Sequence, residues 1–380
     1  MKAIPELTSY DRSIPAPVSE GGVPAGRDLG RAMSSEIYAD KPVTKVGSQP
    51  IGRISALDFT KGTLVLVMVL YHWLNYFVGP QGSFYRYLSF LPPSFICITG
   101  FLISHVYLSK YRVTDARLPR RLAVRGLKIL WIFVVLNMLI GLVLPRLDRG
   151  KTLFEVLSPA SLWSIYVSGY MKGGRVVAFY VLVPISYVLI LSACLLVASR
   201  YYKHAFHAAT LLALFGVLVL SLLGEKSPCL ELLSIGLLGI SIGYIPIERI
   251  NKFLRRPYVV VLAYLLYVAA ITIWNVLYPL QVTGVLLTLM LIYLAGTASG
   301  DTGRVPRALI LLGKYSLFGY IAQIAILQLL RRSFGVNLAW WTLALSFLVA
   351  ATLTVISVET VDRARVRVPT VNRVYSLIFS

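Results

Sequence analysis

From residue 56 onward the chain alternates long apolar runs with short polar, mostly basic connections. Ten runs of about 18 to 25 residues stand out, each long enough to cross a bilayer core as a helix. They fall at about 56–78, 88–108, 126–145, 176–198, 205–224, 229–247, 257–277, 280–299, 308–330 and 338–358. Helices satisfy every backbone group within such a run, so the pattern predicts an all-α, polytopic membrane helix bundle of about ten transmembrane helices. Residues 1–50 differ. They hold six prolines, five glycines and six serines with no sustained apolar periodicity, which predicts a disordered tail. No signal-peptide-like apolar stretch lies near the start, so no cleavable leader is expected. The expected organisation is a disordered cytoplasmic tail over 1–50, a transmembrane domain over 51–362, and a basic cytoplasmic tail over 363–380.

Basic residues orient these runs, because cytoplasmic loops are richer in Lys and Arg. With the first residues inside, the cytoplasmic segments hold 27 Lys and Arg and the opposite loops nine. This bias predicts ten spans with both termini cytoplasmic. Residues 146–175 are the exception, since this outer segment carries five basic residues and the half-apolar stretch LFEVLSPASLWSIYVSGY. Such a stretch forms either an extra short span or an amphipathic re-entrant helix over a cavity mouth.

Composition narrows the class further. At 57% apolar and 14% charged residues, with mean hydropathy +0.74, this is not a soluble globular chain. The net charge of +21 comes from residues that flank apolar spans, so no nucleic-acid partner is expected and the bilayer is the partner. Cys97, Cys194 and Cys229 lack metal-ligand spacing, and neither a metal nor a tightly bound cofactor is expected.

The first run carries the candidate chemistry. Asp58, Lys61 and His72 share one helical stripe, because eleven residues bring Lys61 and His72 to within about 20° of each other. They lie about 16 Å apart along the axis, and Asp58 and His72 about 21 Å apart. Asp58 therefore cannot orient the imidazole. An outer-side acid, Asp148, Glu155, Glu225 or Glu231, is the alternative partner. Ionisable groups within a span usually face the bundle interior and mark catalysis or transport. Asp58 and Lys61 are also compatible with a plain interfacial ion pair, and His72 with a histidine bonded to a backbone carbonyl.

A second cluster is KYRVTDARLPRRLAVRGLK, with seven basic residues and one acid. Arg121, Arg125 and Lys128 follow i, i+4, i+7 and line one face at the start of the third run. Guanidinium forks suit a phosphorylated ligand, although anionic lipid and the positive-inside bias explain the cluster equally. In the ninth run Lys314, Tyr315, Ser316, Tyr320 and Gln323 enter the membrane. Gln323 can bond a substrate or pack across helices. Glycines 100, 236, 239, 243, 313 and 319 are expected to permit close helix approach.

Asp58, Lys61-Gly62 and His72 match, in order and spacing, the opening motif of membrane acyltransferase family 3, with lysine for arginine. The chain further resembles that family in PPSFICITGFLIS, in RRLAVRGLKI, in FYVLVP from Phe179 to Pro184, and in LGKYSLFGYIAQ. It departs at Val176, where the family often has glutamate, and at Gln323, where it often has histidine. The wider group includes heparan-α-glucosaminide acetyltransferase and glucan-modifying succinyltransferases. The resemblance implies acyl transfer from a cytoplasmic acyl-coenzyme A co-substrate to a hydroxyl or amine of a sugar, glycan or lipid-linked acceptor. His72, whose imidazole titrates at about 6.5 when unperturbed, is the expected general base, with Asp58 positioning Lys61. Arg53, Lys61, Arg120, Arg121, Arg125, Lys128 and Lys314 are the expected donor-binding cations. Asn75, Tyr76, Tyr180, Ser316, Tyr320 and Gln323 are the expected acceptor or cavity residues. A cell membrane, the bacterial inner membrane first, is the expected location. The rival from another class is a secondary transporter or flippase with Asp58, Lys61 and His72 as its path, and a donor-binding regulator without turnover is a third.

Overall fold

The protein is built around α1 (Ser55–Trp73), whose buried positions Ala56, Asp58, Phe59, Thr60, Gly62, Leu64, Val65, Met68 and Val69 point in every direction round its axis. A helix with no single buried stripe must be enclosed by others. In this computed structural model the described residues are 54–79, 82–108, 117–143, 163–168, 170–171, 175–176, 178–274, 277–300, 303–335 and 339–379. Contacts divide the chain into Met1–Gln49 and Pro50–Ser380. The expected disordered tail and Arg53 lie outside the described residues.

After α1 the chain continues through a π-helical turn, Leu74–Val78. The further helices are α2 (Leu91–Leu102), α3 (Arg117–Val143), α4 (Leu182–Ala198), α5 (Ala205–Leu222), α6 (Pro228–Gly243) and α7 (Ile247–Phe253). Then come α8 (Pro257–Ile273), α9 (Tyr278–Ser299), α10 (Arg304–Lys314), α11 (Ser316–Phe334), α12 (Trp340–Arg367) and α13 (Pro369–Phe379). Helix α1 packs against α2, α9, α10, α11 and α12. A second layer is formed by α3 on α4, α2 on α6 and α5 on α6.

Each of the ten predicted runs falls on one of these helices or on an adjoining pair. Among the described residues six helices are long and apolar enough to cross a membrane, or eight if each of two sharply bent pairs counts as one span. The protein is therefore a multi-pass membrane protein. Helices α4 and α8 have 17 residues each, about 26 Å of rise, which is short of a full hydrocarbon core. The surface agrees: Leu211, Leu212 and Phe215 on α5, and Leu262, Leu265 and Leu266 on α8, are exposed. Apolar surface of that kind suits lipid rather than water.

The run at 308–330 is not one straight helix. It breaks at Tyr315, where α10 and α11 meet at 95°. The cause is tertiary. A Cβ on Gly62 would strike the carbonyl of Leu309, and one on Gly313 the carbonyl of Asp58, so α10 is fixed by backbone contact with α1. Glycines 100, 239 and 243 play the same part between α2 and α6, against Gly236, Cys97 and Phe101. The expected small-residue contacts are thus present. Within 146–175 most residues lie outside the described set. What is described is a π turn at Ser164–Ser168 and an antiparallel ladder pairing β1 (Tyr170–Met171) with β2 (Arg175–Val176).

Candidate functional site

Near the start of α1, Lys61 Nζ lies 2.6 Å from Asp58 Oδ1. The i, i+3 spacing brings the two groups together on one helix face. Asp58 is buried while the Lys61 side chain keeps 17% of its surface. That residual surface is the wall of a cavity.

The cavity measures about 340 Å³ and is lined by Lys61, Arg125, Lys314, Ser316 and Tyr320, five residues singled out in the sequence. Phe95, Ile103, Leu182 and Leu189 supply apolar wall. Its volume falls in the range of small-molecule sites. The cations come from the start of α1, the start of α3 and the α10–α11 break. Three basic segments far apart in sequence therefore meet at one end of the bundle. Tyr320 lies over a turn further along α11, and its ring centroid is 5.9 Å from that of His72.

His72 does not line this cavity. Its Nε2 is buried and has no hydrogen-bond partner among the described residues. Around it stand Tyr71, edge-on with centroids 5.4 Å apart, and Tyr320. Asp148 and Glu155 lie outside the described residues, while Glu225 is exposed. The bare imidazole nitrogen, buried in a helix that ends in a π turn, is an unsatisfied polar atom of the kind that calls for an explanation.

The C-terminal end of α1 and the π turn that follows it are pinned on two sides. Trp73 Nε1 donates to Ser346 Oγ at 2.8 Å, and Gln328 Nε2 donates to Tyr76 OH at 3.1 Å. Tyr76 also lies under Arg331, whose Cζ is 5.8 Å from the ring centroid. Asn75 is half-buried one turn beyond His72. Tyr180 turns its hydroxyl toward Val167 O at 3.5 Å and is not in the cavity wall. Gln323 is fully buried, with neither amide atom hydrogen-bonded among the described residues. Arg120 and Arg121 are exposed and Lys128 is half-buried on α3; of the predicted cluster, Arg125 is the member in the cavity wall.

Tyr315, singled out in the ninth run, is held in the wall by residues that carry no motif in the sequence. Tyr315 OH donates to Asp362 Oδ1 at 2.6 Å and accepts from Arg365 Nη1 at 3.1 Å, and Lys314 Nζ is 3.3 Å from Asp362 Oδ1. Arg365 also stacks over Tyr375, 4.1 Å from its centroid, and donates to Asn372 Oδ1. This network ties the end of α12 and α13 to the α10–α11 break, so that Tyr375 and Phe379 close part of the cavity. Burial pushes the Tyr375 phenol above its ordinary value, against the opposing pull of Arg365.

Phe179, the first residue of FYVLVP, has a backbone conformation that the sequence does not signal. Its φ is +59°, a conformation that costs a bulky residue about 1–3 kcal/mol. Asn137 Nδ2 donates to Ala178 O at 3.0 Å and holds this turn. In this conformation the buried Phe179 ring meets Tyr320 edge-on, with centroids 5.8 Å apart. A strained phenylalanine thus backs the tyrosine that touches His72.

Compared with family models, with characterised proteins and with solved structures, the chain matches none.

Proposed function

We propose that this protein is an integral membrane acyltransferase, carrying an acyl group from a cytoplasmic coenzyme A thioester to a hydroxyl or amine of a sugar, glycan or lipid-linked acceptor. One observation carries the reading: a cavity with Lys61, Arg125 and Lys314 in its wall runs to Tyr320, whose ring touches a buried histidine with an unpartnered nitrogen. The likeness of Asp58, Lys61-Gly62 and His72 to the opening motif of membrane acyltransferase family 3 points the same way. In this reading the termini and the basic segments are cytoplasmic, ten spans cross the membrane, and the membrane is a bacterial inner membrane.

The cations bind the donor's phosphates outside or at the cavity mouth. The slender pantetheine arm enters between α1, α2, α4 and α11, and the apolar wall strips water from the thioester. His72 Nε2 takes the proton of the acceptor hydroxyl as its oxygen attacks the thioester carbonyl. The new C–O bond forms, the C–S bond breaks, and the departing thiolate receives the proton from the imidazolium. Tyr320 separates the cavity from the imidazole, so the thioester meets His72 only when that ring turns aside. Asp58 holds Lys61 in the wall.

The test is transfer of radiolabel from acetyl-coenzyme A into envelope glycan by membranes containing the protein. Label in glycan that disappears in His72→Ala membranes supports the reading. Equal labelling by both removes His72 from the chemistry. A transporter remains the second reading, favoured by the two sharply bent helix pairs, α6 with α7 at 97° and α10 with α11 at 95°, since broken helices often frame transport sites. Uptake by proteoliposomes without thioester consumption would select it.

A further inference from the structure

A second cavity, of about 350 Å³, shares Ile98 with the cation-walled one and uses neighbouring faces of α1 and α2. Leu57, Phe101, Leu286, Met290, Ile250 and Phe253 are among its wall residues. Its floor reaches the central helix at Leu57 and Thr60, and its edge is formed by the exposed Ile245, Arg249 and Phe253. The hydroxyls in its wall are already engaged: Thr60 Oγ1 donates to Ala56 O at 2.8 Å, and Tyr293 OH donates to Asn251 Oδ1 at 3.1 Å. A polar occupant would find no donor in the depth of the recess. Its contents must be hydrocarbon.

The rim is different. Arg249 is the one charged residue of the wall among the described residues, and it is exposed. It belongs to α7, which turns 97° from α6 and lies over the mouth. Lys252, Arg255 and Arg256 follow it and are exposed as well, against a single acid, Glu248. Basic side chains beside an apolar recess between transmembrane helices match a lipid that has a chain for the recess and an anionic headgroup for the rim.

We propose that this recess is a binding site for one anionic phospholipid, with an acyl chain between α1, α2, α6 and α9 and its phosphate at Arg249. The experiment uses the full-length protein in nanodiscs of phosphatidylcholine containing phosphatidylglycerol with a photoreactive group near one chain end. Adducts are expected on the α9 peptide around Leu286 and Met290. Phosphatidylcholine carrying the same group labels that peptide less. Arg249→Gln, at an exposed position, should lower the phosphatidylglycerol adduct roughly fivefold, the factor for about 1 kcal/mol per basic residue near a membrane surface. It should leave the phosphatidylcholine adduct unchanged. Met290→Trp should remove both, whereas Leu212→Trp on the exposed face of α5 should remove neither. Equal labelling of wild type by the two lipids, or unchanged labelling in Arg249→Gln, would overturn the proposal. So would stronger labelling of this peptide by a photoreactive fatty-acyl-coenzyme A, which would place a donor chain there instead.

Discussion

The two cavities have nearly the same volume, share Ile98 in their walls, and lie on neighbouring faces of the same two helices, yet their chemistry differs. In one, α1 presents Lys61 and α2 presents Thr99 and Leu102; in the other, α1 presents Leu57 and Thr60 and α2 presents Cys97 and Phe101. One residue along a helix is a rotation of about 100°, so Thr60 and Lys61 are enough to separate an apolar recess from a charged one. The charged cavity has three cationic side chains, Lys61, Arg125 and Lys314, in its wall, while in the apolar one the hydroxyls of Thr60 and Tyr293 are bonded to the protein itself. Polarity in this bundle is therefore assigned by helix face and not by depth or by span.

The comparison breaks first at His72. His72→Ala should reduce acyl transfer about a hundred- to ten-thousand-fold, the usual worth of a general base, with phosphatidylglycerol labelling of the apolar recess unchanged. Turnover and lipid labelling measured on one preparation separate loss of chemistry from loss of fold.

Next in size is the Asp58–Lys61 pair. Lys61→Gln removes the ammonium 2.6 Å from the buried Asp58 carboxylate and should destabilise the protein by up to about 3 kcal/mol, read by thermal unfolding in detergent. Adding Asp58→Asn should restore most of that stability but not donor affinity. Recovery of both would make Lys61 a structural residue and end its part in the charged cavity.

A smaller effect is expected at Phe179. Phe179→Ala removes the ring that backs Tyr320 and should raise kcat severalfold with little change in KM for the donor, because the Tyr320 ring that must turn aside is then no longer held against His72. A change in KM alone would place Phe179 with the cavity wall and not with the reacting end. The smallest effect belongs to the apolar side, where Thr60→Val removes one intrahelical hydrogen bond and should cost about 1 kcal/mol or less. Donor affinity should not move. If it does, the two cavities communicate through α1.

Much of this arrangement is written in local pattern. The apolar runs, the i, i+3 pair of Asp58 and Lys61, and glycines facing neighbouring backbones all follow from helical periodicity. Periodicity gives length and face but not partners. The break at Tyr315 escaped it because residues 308–330 are continuously apolar enough to read as one helix, while the bend comes from contact with Gly62 and from the hydrogen bond to Asp362. Asp362, Arg365 and Tyr375 escaped it for a related reason. In sequence Asp362 ends the expected transmembrane domain while Arg365 and Tyr375 belong to a basic tail whose charges read as an orientation signal, and their role exists only once α12 and α13 meet the start of α11. Phe179 was visible as part of FYVLVP, but a positive φ leaves no mark in a sequence that lacks glycine there. The axial distance from Lys61 to His72 was legible, whereas the tyrosine standing between cavity and imidazole was not.

The central claim, that one cavity leads a thioester from cations to His72, is tested most directly by determining the structure of the protein in nanodiscs with bound coenzyme A thioester. The account predicts phosphate density beside Lys61, Arg125 and Lys314 and the thioester sulfur next to Tyr320, with that ring displaced from the position it holds against His72. Donor density in the apolar recess, or phosphates at α7 with the charged cavity closed, would contradict it.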